Sequence, residues 1–585
     1  MPFAGWRRHR WDSSHPFLQS DLVRPPNSIP SFRASVQCVS TSDTHSSRAQ
    51  RAKASPSLPG VPPTQDSETL RTAEVIASVC LATDLGMGFP LEHGHHATLM
   101  ASRFCDILGV DVDTANQVYY GSMLMYTGCT SDAALGKPIM SGPRHETLIP
   151  HLFGSYAERA AGLIQSLPPP GTSGIERSIE ITRRFPRLVA KSQEQQTALC
   201  EVAEMMSIRL GLSSDIHGLF TFLTERWDGQ SVLRRARGRD IPLAVRIFIL
   251  SRDMAFQRRI GGESHACEIA RERAGHAFDP DLAEAFVSNA GEIFAAANPG
   301  DSVWDAVLDA EPKPKNTLVG EEIDTALAAI GDFADLISPT FAAHSSALSD
   351  LVARAAAIAG MEEEQIRDLR RTAHIHDVGR IAISPEIWEK TTPLNRDEQE
   401  QVRLHPYHTE RVLSQSAFFH PLCLIARDHH ERLDGSGYHR GVEGPSLSPP
   451  ARLLAAADTF QAMIEPRPHR PARDPGDAAN ELARLAEDGL LDHAMVSAVI
   501  EATGQPVPDM ERPAGLTERE TEVIGLLARG LQTKQIATAL GISPKTADTH
   551  IQSGYRKMGV STRASATLFA MEHGLVPSGE LPIQG

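Results

Sequence analysis

The sequence predicts an all-α protein in which one helical unit is used twice, followed by a small helix-turn-helix at the C-terminal end. Three observations lead there. From Asp66 onward apolar residues recur at helical spacing, and the alternation typical of strands is almost absent. Blocks of the first half match blocks of the second at a nearly constant offset. Near the end, a Ser-Pro pair opens a helix directly after a glycine turn, a strong helix-start signal.

Taken in order, residues 1–66 are rich in Ser, Pro, Arg and Gln without a helical period, and a disordered extension is expected there. Its opening, MPFAGWRRHRWDSSHPF, lacks the apolar stretch of a secretory signal. Proline clusters EPKPKN (311–316) and QPVPDMERPAG (505–515) break the body into pieces of 67–310, 317–504 and 515–576. The strongest apolar run, IPLAVRIFIL at 241–250, is too short for a membrane span and contains Arg246, so it is expected in a core and no membrane partner is expected. A formal net charge of −16 over 585 residues excludes non-specific nucleic-acid binding by the whole chain, leaving any such contact to a local patch. Seven scattered cysteines without a C-x-x-C pair suit reduced thiols in the cytoplasm.

The repeat is informative where its copies differ. An offset of 251 places His93 on His344, Gly109 on Gly360 and Gly128 on Gly379. Later, LTERWDGQS (223–231) falls on HHERLDGSG (429–437) at an offset of 206, so the first copy carries 45 extra residues between the blocks. His376-Asp377 correspond to Met125-Tyr126, His429-His430 to Leu223-Thr224, and Asp458 to Arg252, with Asp253 one place away. Glycines and the Glu-Arg pair survive while candidate ligands disappear, as expected if the first copy kept only the fold.

The second copy offers His344, His376, Asp377, His405, His429, His430 and Asp458. Five imidazoles with two carboxylates suit Mn, Fe, Zn or a similar divalent ion better than Ca or Mg. They exceed what one tetrahedral ion needs, so a pair of ions bridged by a carboxylate such as Asp377 is expected, an arrangement suited to phosphodiester hydrolysis.

These residues carry a resemblance. HSS at His344, HDVGRIAIS (376–384), LHP (404–406), HHERLDGSGY (429–438), PARLLAAADTFQAM (450–463) and RPHRPA (467–472) make residues 317–504 resemble the HD-GYP domain, a branch of the HD-type metal-dependent phosphohydrolases. The resemblance implies an all-helical fold, two or three divalent ions (Fe, Mn or similar) on the seven residues above, and hydrolysis of cyclic di-GMP. It implies catalytic roles for Asp377 and for Arg380, which stands where the family has lysine, and a substrate loop of Asp434, Gly435, Gly437, Tyr438 and His439. Two further positions depart from the pattern: Gly-Tyr-Pro reads Gly437-Tyr438-His439, and Thr340 replaces a glutamate associated with a third ion. The first copy then reads as the same fold in degenerate form.

In residues 516–575, Val523, Leu526 and Leu527 form one apolar face, and Gly530 and Gly541 stop two helices. Ser543 and Pro544 open a third, along which Ala547, Ile551, Tyr555 and Met558 face inward. Seven Lys and Arg against five Asp and Glu make the piece net +2, so paired half-sites bound by a homodimer are expected. LTERE, KQIATALGISPKT and YRKMGV resemble the LuxR-type DNA-binding domain. That implies Lys545, Thr546, Thr549 and His550 in the groove, with Lys534, Arg556 and Lys557 near the DNA backbone.

The combined expectation is a cytoplasmic bacterial regulator that hydrolyses a cyclic dinucleotide or related phosphodiester, cyclic di-GMP first. The alternative is an inactive nucleotide-sensing or dimerisation domain that controls the DNA-binding head.

Overall fold

The computed structural model describes residues 69–128, 151–168, 172–508, 510, 513–573 and 575. The expected extension at 1–66 lies outside them. Among the described residues, strand structure is confined to one antiparallel pair, Thr69–Arg71 with Thr317–Val319, and isolated bridges; nearly all other regular structure is helical.

That small sheet ties the starts of the two copies together. Leu70 pairs with Leu318, and each sits in the same Thr-Leu context, so the copies meet through equivalent residues. Helices Thr72–Met87 and Glu321–Asp335 follow. His93–Leu108 and His344–Ile358 then each begin after a residue in the left-handed region, Glu92 and Ala343. In both copies a buried aspartate fixes this corner: Gly94 N–H donates to Asp84 Oδ2, and Ser345 N–H to Asp335 Oδ2, each at 2.9 Å. Gly109 and Gly360 follow those helices, both at positive φ where a side chain would be strained.

The correspondence continues. Arg246 donates from Nε to Ile241 O and pairs with Asp279 at 2.5 Å; Arg452 does the same with Leu447 O and Asp492. Helices Tyr156–Ser166 and Gly174–Arg209 fall in the stretch where the first copy is longer. The run 241–250 is core: Val245, Ile247, Phe248 and Leu250 are buried, and Arg246 is neutralised by Asp279. One hydrophobic cluster runs from Leu70 through both copies to Ala426, and a second fills the far half of the second copy. The proline-rich stretch at 311–316 is pinned rather than loose, since buried Glu311 accepts from Tyr120 Oη at 2.6 Å and from Asn316 N–H.

The C-terminal head has its own core of Leu516, Val523, Ile524, Ile536, Ala547 and Ile551 among others. Its helices are Glu518–Ala528, Thr533–Ala539, Pro544–Met558 and Arg563–Glu572. Ser543 caps the third by accepting from Thr546 N–H, with Pro544 in the first turn. The five cysteines among the described residues are free. No helix among these residues is long and apolar enough to cross a membrane.

Candidate metal centre

Seven side chains of the second copy converge from five places in the fold. His344 opens a helix, and His376 and Asp377 sit where helix Glu363–Ile375 gives way to a 3-10 turn. His405 starts helix His405–Leu413, His429 and His430 follow helix Phe419–Ala426, and Asp458 lies within Pro449–Ile464. All but His430 are buried, and His430 is half-buried.

They form two groups of potential ligand atoms: His344, His376, Asp377 and Asp458 in one, His405, His429 and His430 in the other. Asp377 joins them. Its Oδ2 lies 2.7 Å from His376 Nε2 and 3.7 Å from His344 Nε2, while its Oδ1 lies 3.2 Å from His405 Nε2 and 3.5 Å from His429 Nε2. Asp458 Oδ1 is 3.4 Å from His344 Nε2, and Asp458 Oδ2 is 4.0 Å from His430 Nδ1.

The outer nitrogens explain why the inner ones face carboxylates. His376, His405 and His429 each donate from Nδ1 to the carbonyl three residues earlier, at 2.6–2.8 Å. His344 donates from Nδ1 to Glu465 at 2.9 Å. Each ring thereby turns an Nε2 lone pair towards the centre, as a metal-binding imidazole requires. The Nε2 atoms of His344 and His376, both oxygens of Asp377 and Oδ1 of Asp458 are buried without a hydrogen bond. Acceptors packed against acceptors in a dry interior are costly unless a cation lies between them, so this donor set fits divalent ions. The same field acts on protons. Burial opposes charge on His376, but Asp377 and Asp458 outweigh it and push its pKa up to about 10. Burial likewise favours neutral Asp377, but Arg380 and His376 hold its carboxyl well below the usual range.

Arg380 is buried, pairs with Asp377 through Nη2 and lies 4.3 Å over the Phe341 ring. In the loop, Asp434 accepts from Ser436 N–H and Oγ, closing a turn that Gly435 completes at positive φ. A Cβ on Gly437 would collide with the Glu431–Arg432 backbone. Tyr438 stacks on His430 with ring centroids 4.7 Å apart, and His439 turns away to Glu410 at 3.5 Å. The preserved Glu-Arg pair now has a reason: buried Glu431 accepts from the amides of Arg440, Gly441 and Val442, as Glu225 accepts from Arg235 N–H.

Sequence reasoning missed Glu465, Arg467 and Thr409. Glu465 lies seven residues beyond Asp458, two helical turns on the same face, and that spacing was its available signal. Arg467 pairs with Glu465 at 3.0 Å and lies 4.7 Å over Phe341. Thr409 donates to His376 O and accepts from Gly379 N–H, locking the His-Asp turn.

In the head, Lys534, Lys545, Thr546, Thr549 and Arg556 are exposed and His550 half-buried. Lys557 also reaches the surface, but it is committed to Glu520 at 2.6 Å and to Gly515 O at 2.8 Å.

Known proteins resemble the chain on both counts. Residues 330–495 match the family described as HD domain, and residues 514–570 match bacterial regulatory proteins, luxR family. The chain is 28% identical over 421 residues to 3'3'-cGAMP-specific phosphodiesterase 3 of Vibrio cholerae serotype O1, covering 69% of this chain and 88% of the relative. It is 36% identical over 148 residues to the cyclic di-GMP phosphodiesterase response regulator RpfG of Xanthomonas campestris pv. campestris, covering 25% of this chain and 39% of the relative. It is 30% identical over 202 residues to 3'3'-cGAMP-specific phosphodiesterase 1 of V. cholerae, covering 34% and 46%. The chain thus spans less than half of the last two relatives. A crystal structure of V-cGAP3, a cyclic GMP-AMP specific phosphodiesterase of V. cholerae, superposes with a TM-score of 0.53 at 22% identity, covering 76% of this chain and 99% of that one, a likeness of fold. The chain therefore joins an HD domain, at residues 330–495, to a helix-turn-helix domain of the bacterial luxR regulatory family, at residues 514–570.

Proposed function

We propose that the second copy is a two-metal phosphodiesterase acting on a 3',3'-cyclic dinucleotide, and that the C-terminal head binds DNA. One observation carries the enzymatic reading: the two oxygens of Asp377 face separate sets of imidazoles, the arrangement a carboxylate bridging two ions would take. His344, His376, Asp377 and Asp458 would hold one ion, and His405, His429 and His430 with Asp377 the other. Such ions supply charge neutralisation at the phosphodiester and a lower pKa for attacking water.

The chain's own residues do the rest. Arg380 and Arg467, both over Phe341, supply positive charge beside the centre. Tyr438, stacked on His430, walls one side from water. Among substrates, 3'3'-cGAMP is favoured by the relative matched over the longest stretch, and the shorter matches include both 3'3'-cGAMP and cyclic di-GMP phosphodiesterases. The reading is tested by turnover of each dinucleotide by Mn(II)- or Fe(II)-loaded protein beside an Asp377→Ala control. Hydrolysis that vanishes in the control supports it; no hydrolysis of either with metal bound overturns it.

A second reading, nucleotide sensing without turnover, rests on a close approach at the far end of the substrate loop. A Cβ on Gly444 would lie 3.3 Å from the carbonyl of Glu572 in the head's last helix, so the loop runs directly into the head. Binding that changes DNA affinity without hydrolysis would favour it.

A further inference from the structure

The first copy lacks most of the proposed metal ligands, but its site is not blank. Its charge is inverted. The offset of 206 that places Arg252 on Asp458 also places Arg259 on Glu465, and the offset of 251 places Tyr126 on Asp377. Where the second copy presents three carboxylates, the first presents two guanidinium groups and a phenol. His93 remains at the position of His344.

The surroundings of these groups favour an anion. Arg252 is fully buried, with its guanidinium 4.5 Å over the Tyr126 ring and beside the Cys80 thiol and the Asp84 carboxylate. His93 is 5% exposed, and its Nε2 is buried without a partner among the described residues. His93 lines a cavity of about 310 Å³ together with His96, Arg258, Arg259, Met100 and Asn298. No carboxylate is among the lining residues, and Arg252 and Tyr126 are not among them either, so Arg252 acts on the cavity only through its charge. Arg258 is partly matched by Glu263 at 3.1 Å, whereas Arg259 is exposed and has no ion pair among the described residues. Buried Asp84 is the carboxylate next to Arg252 and balances part of its charge, leaving Arg259 as the cation without an acid. Helix His93–Leu108 starts at the cavity and adds the partial positive charge of its first turn.

The unpartnered Nε2 of buried His93 can donate a hydrogen bond, and Arg259 on the rim with no acid opposite it calls for an anion. Arginine's planar fork suits phosphate oxygens, and the volume lies at the small end of ligand pockets, which fits a single nucleotide better than a cyclic dinucleotide. We propose that the first copy is a binding site for a nucleoside monophosphate, whose phosphate is held by Arg259 and the positive field of Arg252 beside His93. The site would make the degenerate copy a nucleotide sensor, and it does not depend on turnover in the second copy.

The test is calorimetric titration of the full-length protein with GMP, AMP and inorganic phosphate, in the parent and in Asp377→Ala, which disables the metal centre. Binding of GMP or AMP is expected in both. Arg259→Glu, a surface change, is expected to weaken binding about ten- to hundredfold, the effect of removing one charge-assisted hydrogen bond. Arg252→Met, which keeps the volume, is a second variant expected to weaken it while melting stays cooperative. Absence of binding by either nucleotide overturns the proposal, as does binding that survives Arg259→Glu or disappears in Asp377→Ala. Inorganic phosphate binding as tightly as GMP and AMP would overturn the nucleotide assignment.

Discussion

Glu465 and His344 stand 121 residues apart, yet Nδ1 of His344 donates to the Glu465 carboxylate at 2.9 Å. Burial works against charge on this histidine, and the Asp458 and Glu465 carboxylates outweigh it and raise its pKa. Gln461 Nε2 holds the other side of Glu465 at 2.8 Å, so the imidazole, the carboxylate and the amide form one line of support. Glu465→Gln keeps the shape and removes the charge. Removing such an outer partner costs about 10–100-fold in metal affinity, and a competitive chelator titration that reads apo- and holo-protein is expected to show it. Unchanged affinity would mean that Glu465 only fills space.

Gly379 tests the backbone beneath the same centre. A Cβ there would collide with the carbonyl of His405 and with the amide and hydroxyl of Thr409. Because backbone stands in the way, no side chain can swing aside. Gly379→Ala is expected to cost about 1–3 kcal/mol, as overpacking does, and to lower metal content by separating His376 from His405. A melting temperature and metal content equal to the parent's would contradict this.

How much of the fold and site is legible in the sequence follows from the kind of signal each residue leaves. All seven proposed ligands are readable because they sit in dense local motifs, and five of them (His376, Asp377, His429, His430 and Asp458) are replaced in the first copy, where His93 still stands for His344. The bridging position of Asp377 is suggested by ligand count, and the geometry places its two oxygens towards separate sets. Glu465 is not readable as a partner of His344, because a contact across 121 residues leaves no local pattern. Arg252 shows in the sequence only as a missing aspartate. That its guanidinium is fully buried against Tyr126 is a tertiary fact, and it bears on the site proposed for the first copy. The short strand pair escapes for a simpler reason: three residues are too few for alternation to register.

Glu520 gives the head a pH dependence. Burial opposes its ionisation, but Lys557, Ser553 and the Thr517 amide outweigh it and hold its pKa at about 2, below the ordinary 4.5. A depressed carboxylate contributes stability that is present above the unfolded value and disappears as pH falls through the folded one. Hydrogen exchange of residues 516–573 is therefore expected to quicken between about pH 4.5 and about pH 2, beyond the intrinsic trend for exposed amides. In Glu520→Gln that extra acceleration is expected to disappear. A variant with the same pH profile as the parent would assign the effect elsewhere.

The pairing of Lys557 with Glu520 also separates two lysines that the sequence alone treats alike. Lys545 is exposed on the capped third helix, whereas Lys557 is tied to Glu520 and to Gly515 O within the head. If the head binds DNA through that helix, Lys545→Ala removes a cation from the duplex surface. The expected result is weaker binding, a salt slope smaller by about one for each phosphate no longer neutralised, and unchanged melting. Lys557→Ala instead leaves Glu520, buried at 4% exposure, without its cation, so it is expected to lower the head's stability first. Any fall in DNA affinity would then follow the unfolded fraction and leave the salt slope near the parent's. Arg556→Ala, exposed and without an ion pair among the described residues, is expected to behave like Lys545→Ala. Salt-dependent binding isotherms beside melting curves for the three variants decide the matter: a reduced slope for Lys557→Ala with unchanged melting would place that lysine on the DNA.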